Sequence, residues 1–254
     1  MPVLPGAESW SRSGAAVGVL LCHGFTGTPQ SLRPWGEQLA AAGYSVEVPL
    51  LPGHGTVWQD MNRSTWQEWY ACVDAALTRL RESCSTTFVG GLSMGGCLAL
   101  RLAEQRPQDV AGLVVVNPGI RFDRAQLKLL PVLKHVVGSL PGIGSDIKKP
   151  GSKELAYDRT PLKALASNLE MCADVTAGLS KITQPMLLLR STEDHVVPAT
   201  SSAQVLRSIS STDTTEILLT DSYHVATLDN DAERIFKESL AFISRLSGVG
   251  GERG

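Results

Sequence analysis

What the sequence does without narrows its roles first. It has no block of like charge. Its 23 Lys and Arg face 25 Asp and Glu, for a formal net charge of −2. That balance gives no electrostatic footprint for nucleic acid or an anionic membrane surface. No run of about 18 uninterrupted apolar residues, the length of a bilayer-spanning helix, occurs. The first residues, MPVLPGAESW, lack a basic region followed by an apolar run, so no signal peptide is read there. The five cysteines, Cys22, Cys72, Cys84, Cys97 and Cys172, are scattered and form no CxxC pair. Buried free thiols in a reducing compartment are the expectation, and with them a cytoplasmic location. No internal repeat is found.

What is present suits a packed α/β core. The chain has 254 residues, 43% hydrophobic and 19% charged. VGVLLCHG (17–24) reads as a strand buried on both faces. Residues 29–42 follow as a helix, stopped at Gly43, and 44–51 as a second strand. A long helix is expected over 64–82, capped by Ser64, with Trp66 and Trp69 in the core. Then come strand 86–93, helix 94–106 and strand 110–119. The alternation resumes with strand 185–194, helix 198–209, strand 214–222 and helix 230–246. Such alternation implies a mostly parallel central sheet with helices on both faces.

Between the two parts, residues 121–180 are amphipathic, broken by Pro and Gly, and show no clear strand. They read as an inserted small helical cap. The core is then 1–120 with 181–248, and 249–254 reads as a disordered tail.

Residues 88–96, FVGGLSMGG, place one serine between glycines where a buried strand gives way to a helix. The spacing G-x-S-x-G fits a sharp strand-to-helix turn, with Gly91 and Gly95 where side chains would meet backbone. Ser93 would project its hydroxyl at a helix N-terminus, which favours developing negative charge. A serine needs a base, and the base an orienting acid. Candidates for both are residues that, like the serine, stand just past the carboxyl end of a strand. Asp194 lies just past strand 185–194 and His224 just past strand 214–222. Glu193 and Asp221 are the alternative acids, and His195 the alternative base. Backbone N–H groups of Met94 and of Phe25, in the HGFTGTP loop, would hold an oxyanion. His23 would brace that loop, His54 a turn, and Cys97 would be a packing residue.

LLCHGFTGTP, PLLPGHG, FVGGLSMGG, STEDHVVP and DSYHV together resemble the α/β-hydrolase superfamily. They are most similar to its bacterial carboxylesterase and monoacylglycerol lipase branch. The resemblance implies the α/β-hydrolase fold and ester hydrolysis through an acyl-enzyme on Ser93, with Asp194 and His224. It implies a small-molecule ester substrate and neither metal nor organic cofactor. A thioesterase or acyltransferase would share the same triad, and a binding protein that has lost turnover is a third reading. IKKPGSKELAYDRTP (147–161) also resembles its counterpart in the monoacylglycerol lipases. Glu154 within it could accept hydrogen bonds from a glycerol leaving group, or be a solvated surface glutamate. LLPVLKHVVGSLPGIG (129–144) could line an apolar tunnel, touch a lipid surface transiently, or simply pack on the sheet. Nothing in the sequence fixes the oligomeric state.

Overall fold

The computed structural model describes residues 1–122, 127 and 129–248. The expected tail, 249–254, lies outside the described residues, as do 123–126 and 128 in the expected cap. In chain order the elements are β1 (Trp10–Arg12), β2 (Val17–Cys22), α1 (Arg33–Ala41), β3 (Ser45–Val48), α2 (Trp58–Met61), α3 (Trp66–Ser83), β4 (Thr86–Leu92) and α4 (Met94–Gln105). Next come β5 (Gly112–Val116), α5 (Leu130–Val136), β6 (Ser139–Pro141), β7 (Arg159–Pro161) and α6 (Leu162–Gly178). The chain closes with β8 (Met186–Ser191), α7 (Ala199–Ser208), β9 (Thr214–Leu219) and α8 (Ala232–Ser247).

Among the described residues, seven strands form one sheet in the order β1-β3-β2-β4-β5-β8-β9. All pairs are parallel except β1 with β3. The reason lies in the strands' composition. β2 and β5 are buried at every residue, as central parallel strands must be when helices cover both faces. One face packs against α1 and α8 through Trp35, Leu39, Ile235, Phe236 and Ile243. The other packs against α3, α4 and α6 through Trp69, Leu77, Leu98, Met171 and Val175. This is the α/β-hydrolase fold that the motifs implied.

Three local expectations are corrected. The cap of α3 is Thr65, whose N–H donates to the Glu68 carboxylate at 2.7 Å in a capping box. Ser64 instead bonds the Met61 carbonyl and accepts from Trp69 Nε1. Trp66 is only half-buried, with the Arg101 guanidinium 5.9 Å above its ring. Finally, the 121–180 segment is not strand-free: Ser139–Pro141 and Arg159–Pro161 pair antiparallel. Three-residue strands, each ending in proline, are too short to display an alternating pattern. β1 was likewise unread.

These elements set the stage for chemistry at one edge. β4, β5, β8 and β9 run parallel, with Leu92 beside Val116 and Ser191 beside Leu219. Their carboxyl ends therefore open on the same side, where such sheets bind ligands. Residues between β6 and β7 lie over that edge, while α6 packs on α4 and α3.

Candidate active site

Ser93 sits between β4 and α4 with φ 57° and ψ −118°, a conformation a non-glycine residue rarely holds. Its backbone is fixed from three sides: its N–H donates to Val116 O, while its carbonyl accepts from Gly119 and Cys97 N–H. The flanking glycines are required by contact. A Cβ on Gly95 would lie 1.8 Å from Cys22 O, and one on Gly91 would lie 2.3 Å from Gly95 O. Ser93 is 7% exposed and stands at the N-terminus of a 12-residue helix whose first N–H groups have no intrahelical partner.

Asp194 and His224 come together from loops after β8 and β9. His224 Nδ1 is 2.8 Å from Asp194 Oδ2. The other oxygen, Oδ1, accepts N–H bonds from Val196 and Val197, each 2.8 Å long. Burial alone would raise the Asp194 pKa, but His224 and these two amides hold it below its ordinary value. Burial alone would lower the His224 pKa. Asp194, joined by Glu154 and Asp146, more than offsets that and raises it above 6.5. The alternatives are placed elsewhere: His195 Nδ1 meets Asp146 Oδ1 at 2.7 Å, and Asp221 pairs with Lys148.

Ser93, His224, Phe25, Met94 and Glu154 all line one cavity of about 190 Å³. The structure thus brings together five of the six residues singled out, with Asp194 directly behind His224. The HGFTGTP loop is braced from below. His23 Nδ1 is 3.0 Å from Gly24 O and must donate there, leaving Nε2 to accept from Leu51 N–H at 3.2 Å. Burial, with His54 beside it, drives the His23 pKa well below 6.5, so the ring stays neutral. Cys97 is fully buried beneath the turn.

The cap segment forms the facing wall. Its backbone is stitched to the same loop: Tyr157 N–H donates to Thr26 O, Thr28 Oγ1 to Leu155 O, and Leu155 N–H to Gln30 Oε1. Glu154 approaches Gly27 so closely that a Cβ there would lie 2.6 Å from Oε1. Burial pushes the Glu154 pKa up to about 7, although His224 and the Ser31 hydroxyl act to lower it. Glu154 is therefore half-buried in the cavity wall, not a solvated surface residue. Phe122, Ile143, Leu165, Val196 and Val225 add apolar lining, beside the polar Thr26, Asp146, Arg159 and Thr160.

Three residues escaped the sequence reading. Asn117, at the end of β5 with φ 44°, donates from Nδ2 to His224 O at 2.8 Å and accepts Ser191 N–H at 2.8 Å. Asn168 of α6 is buried against the cavity, and its Oδ1 has no hydrogen-bond partner among the described residues. Asp146 contacts the loops after β8 and β9. Only the positive φ of Asn117 has a sequence correlate, since asparagine tolerates that region. Among the described residues no group of three His, Cys, Asp or Glu is placed to hold a metal ion.

The sequence profile of the family described as serine aminopeptidase S33 matches residues 15–231. The chain is 44% identical to a thermostable monoacylglycerol lipase of a Bacillus species, over 97% of this chain and 98% of that protein. It is 24% identical to a carboxylesterase of Bacillus subtilis, over 94% of this chain and 97% of that protein. A solved structure from work on the metagenome-derived lipolytic enzymes LipS and LipT superposes with a TM-score of 0.94. It has 44% identity and covers 96% of this chain and all of that one. The chain belongs to the serine aminopeptidase S33 family of α/β hydrolases, in its bacterial esterase and monoacylglycerol lipase branch.

Proposed function

We propose that this carboxylic ester hydrolase cleaves monoacylglycerols, with short- and medium-chain acyl esters as further substrates, through Ser93, His224 and Asp194. The observation that carries the reading is the shared cavity. A strained serine and a carboxylate-paired histidine line it, Glu154 and Asn168 add acceptor oxygens, and Phe122, Ile143, Leu165, Val196 and Val225 give it an apolar part. An acyl chain suits the apolar part and a polyol suits the two acceptor oxygens. The close likeness to a protein named monoacylglycerol lipase supports the same substrate class.

In this reading His224 takes the Ser93 proton as the hydroxyl attacks the ester carbonyl. The Met94 and Phe25 N–H groups receive the oxyanion, each contributing on the order of 3 kcal/mol in the transition state. His224 returns the proton to the leaving alcohol. Water, activated by the same imidazole, then releases the acid. Asp194 holds the tautomer and stabilises the imidazolium. Glu154 accepts hydrogen bonds from the glycerol hydroxyls. The exposed apolar residues Leu129, Val132, Val136, Leu140 and Ile143 form a lip that would touch a lipid surface transiently. Free thiols fit a reducing, cytoplasmic setting.

The test is turnover of 1-monoacylglycerol, p-nitrophenyl esters and an amino-acid p-nitroanilide by wild type, Ser93→Ala and Glu154→Gln. Ester hydrolysis that vanishes in Ser93→Ala, with little anilide cleavage, is expected. Glu154→Gln is expected to lose monoacylglycerol turnover selectively. Equal loss on both esters, or none, would remove Glu154 from the glycerol site.

A further inference from the structure

Asp146 lies in the strap between β6 and β7, far in sequence from both catalytic loops, yet its carboxylate touches each of them. Oδ2 accepts the N–H of His224 at 3.1 Å and the N–H of His195 at 3.2 Å. Oδ1 meets His195 Nδ1 at 2.7 Å. In return, Val225 N–H donates to the Asp146 carbonyl at 3.0 Å. One cap residue thus binds the residue after the triad acid, the triad base itself, and the residue after that base. The carboxylate is 9% exposed, so these bonds are shielded from water.

The same His224 peptide is held from the other side. Asn117 Nδ2 donates to its carbonyl. The sheet therefore grips the carbonyl end of His224, and the cap grips its amide end. Asp229 anchors the strap nearby, accepting N–H bonds from Lys148 and Lys149 and also from Tyr223. Lifting the strap would break the Asp146 and Asp229 bonds together and free the histidine loop on one side.

We infer that Asp146 is a positioning residue for the ester hydrolysis: it ties the cap to the loops bearing Asp194 and His224, so that the triad is aligned when the cap is closed. This rests on the triad reading given above. It makes the cap part of the catalytic geometry as well as a wall for substrate. It also adds a charge. The groups facing His224 are Asp194, Glu154 and Asp146, all of which raise its pKa against burial. The groups facing His195 are Asp146 and Glu193, which raise its pKa, with the Tyr223 ring 4.7 Å away.

Asp146→Asn keeps the shape of the side chain and removes its charge and one acceptor oxygen. With p-nitrophenyl butyrate, a short soluble ester, kcat is expected to fall roughly 10- to 100-fold through misalignment, with KM little changed. The acid limb of kcat/KM is expected to move to lower pH. A merely structural tie would leave that limb where it is, so an unmoved limb with near-normal kcat overturns the inference. Amide hydrogen exchange of the wild type gives a second reading that needs no variant. The His195, His224 and Val225 amides are expected to be protected, and rapid exchange at all three overturns the proposal even if Asp146→Asn fails to fold. Turnover surviving in Ser93→Ala would instead remove the triad reading, while the exchange result would still judge the tie.

Discussion

At the sheet edge, Ser93, Asp194 and His224 each follow a parallel strand, and the strands' register sets their positions. In the strap over that edge, Asp146 and Glu154 stand in irregular backbone. Hydrogen bonds to the sheet's own loops hold them there. The first region is anchored directly to strand ends whose backbone groups are paired in the sheet. The second has few hydrogen bonds of its own and is held by those it makes to the sheet's loops. In the reading proposed above, the edge carries the reactive groups, and the strap supplies the facing wall of their cavity.

Breaking the edge should have the largest effects. Ser93→Ala is expected to lower kcat by about 10⁴-fold or more with the fold intact, since only a hydroxyl is lost. Ester hydrolysis alongside a thermal melt checks both halves of that statement. Gly95→Ala is expected to act on stability instead. Its new methyl would sit 1.8 Å from Cys22 O, and backbone cannot step aside, so a loss of about 4 kcal/mol or an insoluble chain should follow. Denaturant unfolding measures it.

Asn117→Ala sharpens the comparison. It leaves the buried Ser191 N–H and His224 carbonyl without their partner, and should cost about 2 kcal/mol in unfolding free energy while also lowering kcat. Asp146→Asn, on the strap, should lower kcat with a smaller loss of stability. Similar losses of stability in the two variants would erase the distinction between edge and strap.

The smallest effect is one of pH. Because its folded pKa is raised, His224 becomes protonated on going down through a pH above 6.5, and in the proposed mechanism activity needs the neutral ring. The acid limb of kcat/KM for a p-nitrophenyl ester is therefore expected above pH 6.5. A profile flat from pH 5 to 8 would contradict the role of His224. The same raised pKa means that His224 favours the folded state at low pH. That contribution is present below the unfolded value of about 6.5 and is lost as pH rises through the folded one.

The two regions also differed in how far the sequence disclosed them. Edge residues were legible because each stands at the end of an apolar run, and because G-x-S-x-G has a steric cause in this turn. The strap was not. Its Pro- and Gly-rich stretches have no period, so nothing marked 139–141 and 159–161 as strands or brought Asp146 to His224. Glu154 was noticed through a resemblance alone, and its place in the cavity wall depends on contacts with residues 26–31 far away in the chain. Asn117 was missed for a similar reason: its partners, Ser191 and His224, are reached only through the sheet. Even Thr65 in place of Ser64 turned on which hydroxyl the Trp69 indole required.

The most direct test of the account is to treat the enzyme with an alkylphosphonate p-nitrophenyl ester and locate the adduct by peptide mass mapping. One phosphonylated residue, Ser93, with release of one p-nitrophenol per chain and loss of ester hydrolysis, is the expected result. An adduct on any other residue, or a folded enzyme that hydrolyses esters yet is not labelled, would contradict the assignment of Ser93 as the nucleophile.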